Sequence, residues 1–296
     1  MPHSERNLSR RSFIGGAAAL AAATLIPKQT SAAESAKPDS NFGGVRIGVI
    51  TYSFRSMPST AEDLLGYLVK CGLSNVELMG DAAEAYAKKH TPATGVGGPM
   101  DGYEALGKLY RDAGVDIHIV KFGDIGDEKV PDERNEYYFQ AAKAAGAKGI
   151  TRELSPEAAK RLGPMADKHE IVVAFHNHTQ IKPDTYDGDI LSYGKYLGIN
   201  FDIGHYLAGT GESPVPFIEK HHDRILSLHL KDRKKNNGDN LPWGQGETPI
   251  AEALRLIQKN KYPIYPDIEL EYKVPEGSDA VQEVTKCVQF CKNALA

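Results

Sequence analysis

The chain has 296 residues, of which 25% are charged, 41% hydrophobic and 8% aromatic. This is the composition of a soluble globular protein with one sizeable core, and it excludes a disordered or fibrous chain. A formal net charge of −4 argues against a nucleic-acid partner, because phosphate binding needs a concentrated basic face. No apolar run reaches the roughly eighteen residues that a membrane-spanning helix requires. Three cysteines cannot supply a disulfide framework.

Residues 1–33 read as an address. Arg10-Arg11 precede Ser12-Phe13, an apolar run follows from Gly15 to Ile26, and small residues close the segment at Ser31-Ala32-Ala33. A charged region, a short apolar region and a small-residue cleavage site in that order make an export signal. The paired arginines make it resemble the twin-arginine type, which a receptor reads and which anchors nothing once removed. The expected location is periplasmic or extracellular. The signal carries +3, so cleavage after Ala33 leaves 263 residues near −7. Residues 34–44 form a polar lead-in, and residues 45–296 remain for the domain.

In that domain, short β-branched runs alternate with longer stretches of helical period. The strand candidates are Val45–Tyr52, Asn75–Met79, Val115–Val120, Gly149–Glu153, Ile171–Phe175, Ile199–Ile203, Ile225–Leu230 and Ile264–Leu270. The helices expected between and after them are Ala61–Cys71, Tyr103–Ala113, Asp132–Ala145, Ser155–Lys168, Ile190–Leu197, Pro216–His221, Pro249–Asn260 and Asp279–Asn293. Ser155-Pro156 and Thr248-Pro249 look like helix caps followed by a first-turn proline. Cys287 and Cys291 lie one turn apart on one helix and Cys71 lies on another, so all three read as buried free thiols.

Such alternation implies parallel strands with right-handed crossovers, and eight units in this length imply a closed (β/α)8 TIM barrel, an α/β fold. An open doubly wound sheet would carry a glycine-rich phosphate turn after its first strand, but the residues there are Tyr52-Ser53-Phe54-Arg55. Two connections, Gly80–Asp101 and Asp232–Thr248, are long enough to be lids or substrate clamps. The second holds the only tryptophan, in Trp243-Gly244-Gln245-Gly246. Its glycines equally suit a mobile surface loop.

Catalytic groups of such barrels sit at the C-terminal ends of the strands. There the sequence turns polar: Glu77 on strand two, Glu153 on strand four, His176-Asn177-His178 on five, Asp202-Ile203-Gly204-His205 on six, His229-Leu230-Lys231-Asp232 on seven, and Glu269-Leu270-Glu271 on eight. Four of the ten histidines stand at three strand ends. Period two puts 176 with 178, 229 with 231, and 269 with 271 on common faces. Any one histidine could be an ordinary core residue, Asp202 could cap the following segment, and Glu77 could pair with a cation. A converging ring of imidazoles and carboxylates nevertheless packs poorly without a cation. Mixed nitrogen and oxygen donors without thiolate suit Mn²⁺, Zn²⁺, Co²⁺ or Mg²⁺. Lys231, Arg233 and Lys234 offer an anion contact, although such runs usually face solvent.

These motifs resemble the xylose isomerase-like barrels, which include sugar-phosphate isomerases and epimerases, ketose 3-epimerases, inosose dehydratases and endonuclease IV-type enzymes. The resemblance rests on Phe201-Asp202-Ile203-Gly204-His205, Leu228-His229-Leu230-Lys231-Asp232 and Asp267-Ile268-Glu269-Leu270-Glu271. Less specific are Trp243-Gly244-Gln245-Gly246 and Val76-Glu77-Leu78. The resemblance implies a divalent metal on Asp202, His229 and Glu269, with His176 where the family usually has glutamate, and a substrate contact at His205. It further implies catalytic roles for Glu269 and for His176 or Glu153, Glu153 also being a candidate replacement for the missing ligand. Substrate contacts are expected at His178, Lys231, Trp243, Glu77 and Glu271. Related barrels are often dimers.

The expected reaction is isomerisation or epimerisation of a carbohydrate by proton abstraction α to a carbonyl. The alternatives are a lyase or hydratase acting on keto-sugars or 3-keto-glycosides, and a non-catalytic exported carbohydrate-binding barrel. A His-x-His hydrolase motif belongs on strand one rather than five. Glu269 and Glu271 share one face about 6–7 Å apart, so they cannot flank a glycosidic bond.

Overall fold

Parallel neighbours need a crossover that returns the chain to the same end of the sheet, and the helical stretches supply it. In the computed structural model, which describes residues 37–92, 98 and 100–296, eight parallel strands close into a barrel. They are β1 (Gly48–Ile50), β2 (Asn75–Met79), β3 (Asp116–Lys121), β4 (Gly149–Glu153), β5 (Val172–His176), β6 (Leu197–Asp202), β7 (Ile225–Leu230) and β8 (Tyr265–Ile268). They follow one another in sequence round the barrel, and β8 pairs with β1 to close it. The helices are α1 (Ala61–Cys71), α2 (Gly80–His90), α3 (Asp101–Asp112), α4 (Asp132–Ala145), α5 (Pro156–His169), α6 (Ile203–Thr210), α7 (Val215–His221), α8 (Ile250–Asn260) and α9 (Ala280–Ala294). No described helix is long and apolar enough to cross a membrane. The export signal, residues 1–33, and the first residues of the lead-in lie outside the described residues.

Four expectations are corrected. Val45–Tyr52 is not one strand: Val45–Arg46 pairs antiparallel with Asn41–Phe42 across Gly43 and Gly44, both at positive φ, and Tyr52 falls in a 3-10 turn. The described end of the lead-in is therefore structured, and Ser40 is fully buried with its hydroxyl donating to Ile47 O at 2.6 Å. Ile190–Leu197 is not a helix. A 3-10 turn over Asp189–Leu191 is followed by Gly194, which packs against the backbone of Gly163, and Leu197 already opens β6. Gly80–Asp101 is not all loop, since its first half is α2, which buries small residues (Ala82, Ala83, Ala87) and so shows little apolar period. Residues 93–97 and 99 of that connection lie outside the described residues. Thr248 caps no helix, because its hydroxyl accepts from Arg233 N, whereas Ser155 does cap α5 by accepting from Ala158 N. All three cysteines are free and buried.

Branched aliphatic layers normally fill a barrel of this kind. Here polar residues take part of the interior. His118 on β3 and Asp267 on β8 bond across the barrel at 2.8 Å, and both are buried. Nearer the C-terminal ends lie Glu77, Thr151 and Asn200, all fully buried. That buried polar layer is the platform on which the site stands.

Candidate metal centre and active site

The last residues of β5 and β6, the penultimate residue of β7 and the first beyond β8 bring His176, Asp202, His229 and Glu269 together. One donor atom from each lies within 4.8 Å of the others, and all four residues are buried. Asp202 divides its carboxylate between two tasks. Oδ1 accepts from His205 N at 2.6 Å and caps α6, while Oδ2 faces the cluster. His229 is held from below: Glu77 Oε2 lies 2.9 Å from its Nε2, which directs Nδ1 toward Glu269 Oε2, also 2.9 Å away. Asn200 donates from Nδ2 to Glu77 and to Thr151, so its carbonyl faces His176 Nδ1 at 3.3 Å. That carbonyl can only accept, which places the His176 proton on Nδ1 and leaves a lone pair on Nε2.

Asp202 Oδ2, His229 Nδ1 and Glu269 Oε2 are buried, and their contacts are ionic: the Lys231 ammonium lies 2.8 Å from each carboxylate oxygen, and Glu269 Oε2 lies 2.9 Å from His229 Nδ1. Two imidazoles and two carboxylates gathered this closely in a buried pocket form a donor set that fits a cation. Imidazole and carboxylate donors without a described cysteine among them suit a borderline or hard divalent ion. Burial, followed by the charge at His229, keeps the His176 imidazole well below its ordinary value, and a neutral ring is the form that ligates.

Lys231 is 2% exposed, so it is not part of a solvated cluster. Its Nζ stands 2.8 Å from Asp202 Oδ2, 2.8 Å from Glu269 Oε2 and 2.5 Å from Glu271 Oε2. Burial opposes its charge, but these carboxylates outweigh burial and hold its pKa above the usual lysine value. Gly204 is the reason the side chain can pass, since a Cβ there would collide with Lys231 Cγ. Arg233 donates to His205 Nδ1 at 2.6 Å, and the Lys231 ammonium stands 3.0 Å from Nε2, so both ring nitrogens face cations. Burial and the Lys231 charge push His205 down to about 3, so it stays neutral.

Glu153 is outside the four-residue donor set. It is paired with Lys121 Nζ and His178 Nε2, each at 2.8 Å, and half-exposed His178 sits at the rim. Burial raises the Glu153 carboxyl, but the His178 and Lys121 partners outweigh burial and hold it low, so it is ionised. Glu77 lies beneath the centre and is fully buried, placing it behind His229 rather than at a substrate surface. Trp243 is not brought to the cluster. It meets Phe290 of α9 edge-on at 5.5 Å. Nor is its loop held only at its ends: Asp232 Oδ2 accepts from Gly244 N and Gly246 N at 2.8 and 2.9 Å, and Oδ1 from Thr248 N at 3.1 Å. Sequence reasoning missed Asn200, Lys121 and the ordering role of Asp232. Asn200 had a signal, being a polar residue two before Asp202 within an apolar strand.

Residues 151–292 match the family model for the xylose isomerase-like TIM barrel, and residues 7–27 match the twin-arginine translocation signal sequence. The chain is therefore an exported protein whose closed eight-stranded barrel is, over residues 151–292, similar to the xylose isomerase-like TIM barrel. Over 84 residues it is 31% identical to the inosose dehydratase of Salmonella agona, an alignment covering 27% of this chain and 28% of that enzyme. The chain thus spans little more than a quarter of the length of that curated relative. Among solved structures, the fold is shared with the probable 3-DHS dehydratase AsbF of Bacillus anthracis, at 15% identity and TM-score 0.65, covering 83% of this chain and 98% of the other. The IolI protein with a bound zinc atom has 13% identity and TM-score 0.64, with coverage of 85% and 98%. An L-ribulose 3-epimerase has 12% identity and TM-score 0.62, with coverage of 85% and 94%. The proteins that share this barrel include isomerases, epimerases and dehydratases.

Proposed function

We propose that the protein is a divalent-metal-dependent enzyme of the exported compartment that removes the proton α to a carbonyl of a carbohydrate, and that the outcome is elimination. The observation that carries this reading is the asymmetry of the centre. Acid-base groups concentrate on the β6–β8 side, where Lys231 contacts Glu269, Glu271 and His205, whereas the other side offers Glu153, paired with Lys121 and the half-exposed His178. A cation on His176, Asp202, His229 and Glu269 would polarise the carbonyl and acidify the adjacent C–H. Glu269, held ionised by Lys231 and His229 against the effect of burial, is the group to accept that proton. The Lys231 ammonium, beside Glu269 and His205, stands to donate to the oxygen that departs. The stretch shared with inosose dehydratase supports the same class of reaction.

The first expectation, isomerisation or epimerisation, remains as a second reading. Epimerisation needs an acid-base group on the opposite face, and the His178–Glu153 pair at the rim offers one. Proton NMR in D₂O separates the two. Metal-loaded protein would meet a panel of ketoses and 3-keto-glycosides, with a chelator control. Chelator-sensitive deuterium uptake with release of water or an aglycone supports elimination. Uptake with the carbon skeleton and all substituents intact supports the second reading. Metal binding without exchange or turnover across the panel would favour a carbohydrate-binding barrel.

A further inference from the structure

We propose that the floor of the barrel, at the end opposite the metal donors, binds an oxyanion of the phosphate or sulfate class. Arg46, Lys148, Lys195 and Arg224 each stand one or two residues before β1, β4, β6 and β7 respectively. Parallel topology therefore gathers them at the N-terminal ends of the strands, as it gathers the donors of the centre at the other ends. All four line one cavity of about 360 Å³, with His222 beside them and Asp223 the one lining acid. None of the four is ion-paired with a carboxylate among the described residues, although the chain as a whole is acidic at −4. Unpaired cations around one cavity in an acidic protein make a local potential that draws anions.

Three of these head groups are held before any ligand arrives. Arg224 Nη2 donates to Leu197 O at 2.5 Å and Leu191 O at 3.2 Å. The Arg46 guanidinium lies 4.1 Å above the Tyr265 ring, and Lys148 Nζ bonds the Tyr265 hydroxyl at 2.5 Å. Tyr265 is itself buried and stacked on His118 at 4.3 Å, so this cationic surface rests on the polar interior of the barrel. Fixed guanidinium groups match oxyanion geometry, and their prior ordering lowers the entropic cost of binding. Val172, Leu226 and Pro263 add an apolar wall. The volume lies within the ~300–1,000 Å³ range of small-molecule clefts, leaving room for an organic body on the anion.

Calorimetric titration of the metal-loaded mature protein at constant ionic strength tests this. The probes are inorganic phosphate and glucose 6-phosphate, with glucose as the neutral control. Both phosphates should bind and glucose should not. Lys195→Glu and Arg46→Gln should each weaken binding about tenfold or more, with metal content and melting temperature unchanged, and chelation should leave the affinity intact. A tighter sugar phosphate identifies an ester as the ligand, and equal affinities identify the free ion. Both outcomes support the floor site. Undetectable binding at millimolar probe, or binding that survives in both variants and vanishes on chelation, would overturn it by leaving no site or by placing the anion at the metal centre.

Discussion

Glu77 acts on the centre without touching its mouth. Its carboxylate fixes which nitrogen of His229 faces Glu269, and such support behind a ligating histidine is commonly worth 10- to 100-fold in metal affinity, roughly. Glu77→Gln should therefore lower metal affinity by about one to two orders of magnitude while the barrel remains folded. Competition with a graded chelator measures this, and an unchanged affinity would remove Glu77 from the positioning role. His229→Ala and Glu269→Ala should abolish metal retention outright. Full metal content in both variants, measured by elemental analysis, would sink the assignment of the centre.

At the scale of elements, the β7–α8 connection is organised by one carboxylate. A Cβ at Gly246 would collide with Asp232 Oδ1, so Gly246→Ala must displace either the loop or the acid that gathers it. The expected cost is about 1–3 kcal/mol, read by denaturant unfolding, together with impaired turnover because Lys231 and Arg233 flank Asp232. Glu283 does comparable work at the other end of the same region. It accepts from the Tyr272 hydroxyl at 2.8 Å, the Ser278 hydroxyl at 2.6 Å and Lys286 Nζ at 2.6 Å. Burial would raise its pKa, but these partners outweigh burial and lower it. A carboxyl depressed in the folded state stabilises above its unfolded pKa, and that stability is lost as pH falls through the folded value. The stability gap between the native chain and Glu283→Gln should thus be full near neutrality and close on acidification. A gap independent of pH would contradict the ion-pair account.

At the scale of the whole molecule, the barrel was legible because β-branched runs and helical periods alternate with little interruption. β2, β4 and β7 match their sequence-based limits to the residue. The four candidate donors were legible because polar residues ended strands that were otherwise apolar. What stayed hidden depends on contacts distant in sequence. The alanine face of α2 gives no strong apolar period, α6 begins directly where β6 ends, and Lys231 is buried only because Gly204 admits it. Trp243 pointed to the mouth by its neighbourhood in sequence, yet its loop is folded back onto α9.

The ammonium of Lys231 stands among Asp202, Glu269 and Glu271, and this gives the centre a resident counter-ion. Concentrated negative charge at the barrel mouth is offset from within the chain, so folding does not wait on a metal to quench repulsion. Zinc-nucleated small domains behave oppositely, because their ligands have no compensating charge and collapse only around the ion. On the proposed function, the barrel can mature first and be loaded afterwards, on either side of the membrane it crosses. Its loading would then be governed by the ions of the compartment where it resides, and stripping with a chelator should silence the proposed activity reversibly while leaving a single cooperative melting transition.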